Sequence, residues 1–218
     1  MSFRDRREAA QQLAEKLSDY KGKNPLVLAI PRGAVPMAKI IADQLDGEYD
    51  VVLVRKLRAP FNPEFAIGSI DESGWTYIPD YAVSAGGTPE YLESEKQLQL
   101  ETIRKRRAQY TPIRPPIDPA GRIVIVIDDG LATGSTMISA LHGLRVKNPA
   151  KLICAIPVSP PDTLEKVAQM ADEVVCLEAP FNFHAVGQFY ADFPQVEDEE
   201  VIEILKRRGQ KETRGEDV

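Results

Sequence analysis

Asp128 and Asp129 stand side by side at the end of an apolar run, Ile123 to Ile127, and the small and hydroxyl-bearing residues Gly130 to Thr136 follow them. A run of five β-branched residues suits a strand covered on both faces. The segment after it cannot continue as strand. Gly130 and Gly134 permit tight turns, and the hydroxyls of Thr133, Ser135 and Thr136 fall beside backbone N–H groups at an expected helix N-terminus, an arrangement that binds phosphate. Two carboxylates repel phosphate, so they must serve another part of the ligand. A vicinal ribose diol fits, because a carboxylate accepts hydrogen bonds from both hydroxyls while a Mg²⁺ shared with a pyrophosphate offsets the charge. The stretch is not a Walker A loop, which needs a Lys before its last hydroxyl. The blander alternative is a Gly-rich β-α turn with a solvated acid pair. Phosphatase chemistry at the acids lacks a nucleophilic Asp at a suitable spacing.

The whole pattern of hydrophobic strand, acid pair, two residues, Ala-Thr-Gly-Ser-Thr and helix resembles the 5-phosphoribosyl-1-pyrophosphate (PRPP) motif of type I phosphoribosyltransferases. Together with AIPRGAVPMA, RKLRAPFNPEFAIGSI and FNFHAVGQFYADF, it is similar over nearly the whole chain to a group of predicted bacterial members of that family. The resemblance implies an open parallel sheet flanked by helices, with a small hood. It also implies transfer of phosphoribosyl from PRPP to a base or amine, with Mg²⁺ and release of pyrophosphate. Asp128 and Asp129 would then hold the ribose and share in holding Mg²⁺, and Ala132, Thr133, Gly134, Ser135 and Thr136 would cradle the 5′-phosphate. Enzymes for 6-oxopurines usually carry an Asp where this chain has Ala132, whose methyl cannot move a proton. That departure argues against hypoxanthine and guanine without establishing adenine.

One loop cannot hold all of PRPP, so other strand ends must contribute. Arg32 and Gly33 follow the first expected strand, Leu26 to Ile30, and offer a cation and open N–H groups near a helix start. In the family this turn binds pyrophosphate, commonly through a cis peptide not preceding proline, and the resemblance places it at Arg32–Gly33. An ordinary turn with a surface Arg is the alternative. Arg55 and Lys56 end the second expected strand, Val51 to Val54, where they would neutralise departing pyrophosphate as charge develops, the alternative being a solubilising role. The segment Leu57 to Ile70 resembles the mobile loop that closes over PRPP. Phe183, His184, Phe189 and Tyr190 lie where a base-binding hood is expected. Aromatics there stack on a planar base or pack the loop onto the body, and His184 could hydrogen bond to a base or exchange a proton with it.

The elements that must position these residues alternate. Ser2 and Asp5 suggest a capping box before a helix whose Ala10, Leu13, Ala14 and Leu17 share one face. Pro36 suits a first helical turn, with Ala38, Ile41 and Leu45 as its buried stripe. Brief strand-like pieces, Ala66 to Ile70 and Trp75 to Ile78, precede a long helix from Thr88 to Tyr110. Its basic run, Arg104 to Arg107, complements the helix dipole. Helix 134–146, strand 152–157, helix 161–170 and strand 173–177 complete a βα rhythm that implies a parallel sheet. His142, in the first of those helices, reads as structural. One domain over 1–205 is expected, with an insertion at about 60–118, a hood from about 178–205 completed by the N-terminal helix, and a disordered charged tail at 206–218.

A chain of 218 residues can bury about 70% of its unfolded surface in one core. Its 33 acids against 27 Lys and Arg leave a net charge of −6, which gives nucleic acid no global attraction. Cys154 and Cys176 lie in apolar runs without metal-ligand spacing, which reads as buried thiols in a reducing compartment. The charged N-terminus and the lack of a long apolar stretch point to a cytoplasmic protein with no membrane partner. A homodimer is one option for its assembly. Two other classes stay open: a non-catalytic PRPP or nucleotide sensor, and a sugar-phosphate phosphohydrolase.

Overall fold

A computed structural model describes residues 2–111 and 115–207. Five parallel strands form the main sheet: β1 (Leu26–Ala29), β2 (Glu48–Val51), β6 (Ile123–Ile127), β7 (Lys151–Val158) and β8 (Glu173–Glu178), in the order β2-β1-β6-β7-β8. β6 is central, in register from Val124↔Leu26 on one side and Val124↔Leu152 on the other. Neighbouring residues in these strands feed two separate cores. Val27, Ala29, Ile125, Ile127, Ile153 and Ala155 pack with α1 (Arg6–Lys16) and α2 (Val35–Leu45). Leu26, Leu28, Val124, Val126, Leu152 and Cys154 pack with α4 (Ser135–Arg145) and Val167 of α5 (Pro161–Ala168). Both faces are covered, which is why the strands read as unbroken apolar runs. Each Val, Leu or Ile side chain among them taken from water contributes about 1.5–3 kcal/mol before entropy is subtracted.

A second, antiparallel sheet begins just before the expected insertion: β3 (Val54–Ala59), β4 (Asn62–Asp71) and β5 (Thr76–Tyr77). The long helix α3 (Pro89–Tyr110) follows, with the Thr88 hydroxyl accepting from Tyr91 N and Pro89 in the first turn. Its inward stripe, Glu95, Gln99, Ile103 and Tyr110, is buried. Ser69 ties the sheets together: its Oγ lies 2.6 Å from Ser135 O and 2.6 Å from Ser139 Oγ on α4. His142 stacks on Trp75, ring centroids 3.7 Å apart and 8° from parallel, so its role is packing.

Several expectations are corrected. The cap of α1 is Asp5, which accepts from Glu8 N at 2.8 Å, not Ser2. Ser2 and Phe3 instead donate N–H bonds to Phe189 O, and Phe3 bridges to Tyr190. The strand expected at 51–54 is two strands: β2 ends at Val51, and Val54 opens the other sheet. Segment 57–70, expected as a loop, is a hairpin in which Leu57 pairs with Gly68 and Ala59 with Asn62. The strand at 66–70 accordingly begins earlier, at Asn62, because the hairpin partner supplies its backbone bonds. α6 (Asp198–Lys206) is the expected closing helix. The tail expectation falls mainly on 208–218, outside the described residues.

Candidate functional site

β6 delivers the acid pair to the carboxyl edge of the sheet, where open α/β sheets bind ligands. The loop beyond it is shaped by glycine at two places. Gly134 takes φ 74° as the cap of α4, and a Cβ there would lie 2.8 Å from Thr163 Cγ2. Gly130 takes φ 156°, and a Cβ would meet Val186 Cγ1 at 2.6 Å. The Gly134 cap of α4 makes no side-chain bond, and Ser135 N meets Thr133 Oγ1 only at 3.5 Å, so the helix N-terminus is available to an anion. Thr133 Oγ1 lies 3.1 Å from Ser135 Oγ, Ala132 and Thr133 are exposed, and Thr136 is half-buried. The loop is also braced from α5, where Thr163 Oγ1 donates to Ala132 O at 2.8 Å.

Both acids are half-buried. Burial raises the Asp128 carboxyl well above the ordinary carboxylate range, the Asp129 charge adds to the rise, and Lys56 opposes it. Burial also raises Asp129, against the opposing guanidinium of Arg6. Arg6 Nε donates to Asp129 Oδ2 at 2.8 Å, with both side chains at least four-fifths buried (12% and 16% exposed). The Tyr190 hydroxyl donates to Asp129 O at 2.7 Å. Nothing in the sequence pattern marked Arg6 or Thr163, since each reaches the loop only through the tertiary fold.

The turn after β1 abuts the acid pair. A Cβ on Gly33 would lie 2.1 Å from Asp129 Oδ2, so only glycine lets the turn pass. The non-proline cis peptide is Pro31–Arg32, one position before the expected Arg32–Gly33 bond. Arg32 Nη1 lies 3.4 Å from Glu197 Oε2 and 3.6 Å from Asp198 Oδ2.

Arg55 and Lys56 do not end a strand of the main sheet. They are successive residues inside β3 and therefore point to opposite faces. Lys56 pairs in register with Ser69, whose side chain faces α4, so Lys56 is on the loop side and exposed. Arg55 faces α3, where its Nε donates to Gln99 Oε1 at 2.9 Å. Burial lowers its pKa, and the charges of Arg106, Arg58 and Arg32 act the same way. Arg106 lies half-buried with no ion pair among the described residues, so α3 adds a cation to this side.

The proposed base-binding residues divide. Phe189 and Tyr190 are buried, at 9% and 3% exposure, and serve packing. Tyr190 stacks on Phe193 at 4.7 Å and tilts against Phe3 at 5.4 Å. Apolar area and the hydroxyl bond both hold it inward, so it cannot offer a free face to a base. Phe183 is half-buried, 5.4 Å from the Phe189 ring, and His184 is exposed.

Comparison with known proteins agrees with this arrangement. A protein from Thermus thermophilus, TT1426, has a crystal structure that matches with a TM-score of 0.79 and 43% identity, over 95% of this chain and 99% of that one. Two proteins of Mycobacterium tuberculosis, strains CDC 1551 / Oshkosh and H37Rv, carry provisional phosphoribosyl transferase names. Each is 40% identical over 208 residues, 94% of this chain. The chain spans about half the length of these two relatives, 46%. The model of the phosphoribosyl transferase domain matches residues 2–194. With the parallel sheet, the acid pair and the loop at its edge, the chain belongs to the phosphoribosyl transferase domain family.

Proposed function

We propose that the chain transfers 5-phosphoribosyl from PRPP to a nitrogenous base or amine and releases pyrophosphate. The observation that carries this reading is the meeting of two strand-end segments: the Gly33 turn runs directly against Asp129, beside the open N-terminus of α4. A ligand with a 5′-phosphate on the α4 loop, a ribose on the acid pair and a pyrophosphate toward Arg32 would span adjoining sites.

Ala132 to Thr136 bind the 5′-phosphate through first-turn N–H groups and hydroxyls. Asp129 and Asp128 accept from the ribose hydroxyls and orient C1. Arg32 exchanges Glu197 and Asp198 for pyrophosphate, and Lys56 adds charge from the hairpin. The acceptor nitrogen bonds to C1 as the C1–O bond to pyrophosphate breaks. Pyrophosphate leaves with the bonding electrons, and the acceptor's excess proton is lost to solvent or a nearby base. Fixed cations act where that negative charge develops.

Mg²⁺ fits the donor set. Among the described residues no group of three or more His, Cys, Asp or Glu could hold a metal by itself, and Mg²⁺ commonly uses one or two carboxylates plus substrate phosphates. Asp128 and Asp129 would hold it with the substrate, where it would neutralise pyrophosphate charge.

The test is to incubate the protein with Mg²⁺, PRPP and separate purines, pyrimidines and other amines, measuring pyrophosphate. Acceptor-dependent release is the expected result. Tight PRPP binding without release across the panel would favour a sensor, and orthophosphate release a phosphohydrolase.

A further inference from the structure

Arg6 belongs to the first helix, far in sequence from the acid pair, yet its guanidinium joins three parts of the site. Its Nε donates to Asp129 Oδ2 at 2.8 Å, its Nη1 to Pro194 O at 2.6 Å, and its plane covers the Phe193 ring with 3.8 Å from Cζ to the centroid. Phe193 stacks on Tyr190, whose hydroxyl reaches Asp129 O. The closed circuit runs from the acid through Arg6, Phe193 and Tyr190 back to the same residue. Backbone bonds tie its outer members to the N-terminal segment: Ala191 N donates to Phe3 O at 2.9 Å and Asp192 N to Arg4 O at 2.8 Å.

We propose that Arg6 is a positioning residue: it fixes the Asp129 carboxylate for the ribose hydroxyls and couples that carboxylate to the segment covering the site. This rests on the phosphoribosyl reading above. One carboxylate oxygen is held by Arg6, which leaves Oδ1 and the remaining lone pair of Oδ2 for the sugar. A planar guanidinium can make the in-plane bonds and the ring contact together, which an ammonium cannot. Movement of residues 190–194 therefore moves the acid. The Arg32 side chain lies outside the circuit, although its turn passes close by, where a Cβ on Gly33 would lie 3.1 Å from Arg6 Nε.

Calorimetric titration of the full chain with magnesium salts of PRPP, ribose 5-phosphate and pyrophosphate separates these roles. Arg6→Gln is expected to weaken ribose 5-phosphate and PRPP by about tenfold or more, the loss of one charge-assisted bond, and to weaken pyrophosphate alone by clearly less. Arg6→Lys recovers part of that loss. Phe193→Leu, which keeps apolar bulk but removes the ring face, weakens ribose 5-phosphate by about threefold. Unchanged ribose 5-phosphate binding in Arg6→Gln, equal loss of both ligands, or no recovery with Lys would each overturn the Arg6 role while the phosphoribosyl reading stands. An unchanged Phe193→Leu would remove the coupling to the cover. A wild-type chain that binds neither PRPP nor ribose 5-phosphate would overturn the function and the Arg6 role together.

Discussion

The acid-pair loop and the aromatic cover reach the same place by opposite routes. The loop from Asp128 to Thr136 is contiguous, follows one strand and opens one helix, so its chemistry is carried by local residue types. The cover from Phe183 to Pro194 has little regular structure beyond a short 3₁₀ turn at Val186–Phe189, and is held by Phe3, Arg4 and Arg6 from the other end of the chain. A contiguous site tolerates little substitution at any position. An assembled one distributes its function over contacts that can be changed singly.

That difference can be broken or sharpened by mutation. The largest effect belongs to the loop: Asp129→Asn should lower pyrophosphate release by about a hundredfold or more while the melting temperature falls only modestly. A wild-type rate would remove the ribose assignment. Gly134→Ala comes next, since it forces a left-handed residue and pushes a Cβ to 2.8 Å from Thr163 Cγ2. It should cost about 1–3 kcal/mol in denaturant unfolding and raise the KM for PRPP. An unchanged KM would separate helix capping from phosphate binding. In the cover, Phe183→Ala is expected to raise the acceptor KM by about tenfold, a stacking-sized loss, with the KM for PRPP unmoved. If instead the unfolding midpoint drops and the acceptor KM holds, Phe183 is a packing residue like Phe189. The smallest effect is at the join between the sheets. Ser69→Ala removes the bond to Ser135 O and should destabilise by about 1 kcal/mol with little kinetic change. Full retention of the unfolding midpoint would show that β4 is anchored by apolar contact alone.

How much was legible in the sequence follows the same division. Four of the parallel strands, β1, β6, β7 and β8, with α2, α3, α4 and the loop, were readable because each rests on local signals: apolar runs, Pro at a first turn, Thr88 before Pro89, glycine at tight turns. β2 and β3 were merged because VVLVRKLR is one apolar-to-basic run, and only pairing with different partners divides it after Val51. That merger put Arg55 and Lys56 on one edge, whereas the pleat sends Arg55 to Gln99 and Lys56 toward the loop. Tyr190 read as either a stacking or a packing ring because the sequence shows an aromatic but not the Asp129 carbonyl that takes its hydroxyl. Arg6 gave no signal, since an Arg in the first turn of an amphipathic helix is ordinarily a solvated one.

The bond from Thr163 to Ala132 O has a consequence for how the site comes into being. The acid-pair loop is complete in covalent terms once the chain has passed Thr136, but its brace arrives only with α5, after β7 has been added to the sheet. A nascent chain or fragment ending before Pro160 would hold every loop residue and still lack the contact that sets the loop's shape. On the proposed reading, competence to bind a sugar phosphate is therefore acquired late, as a property of the closed sheet rather than of the motif, and long-range contacts of this kind are the slow ones to form.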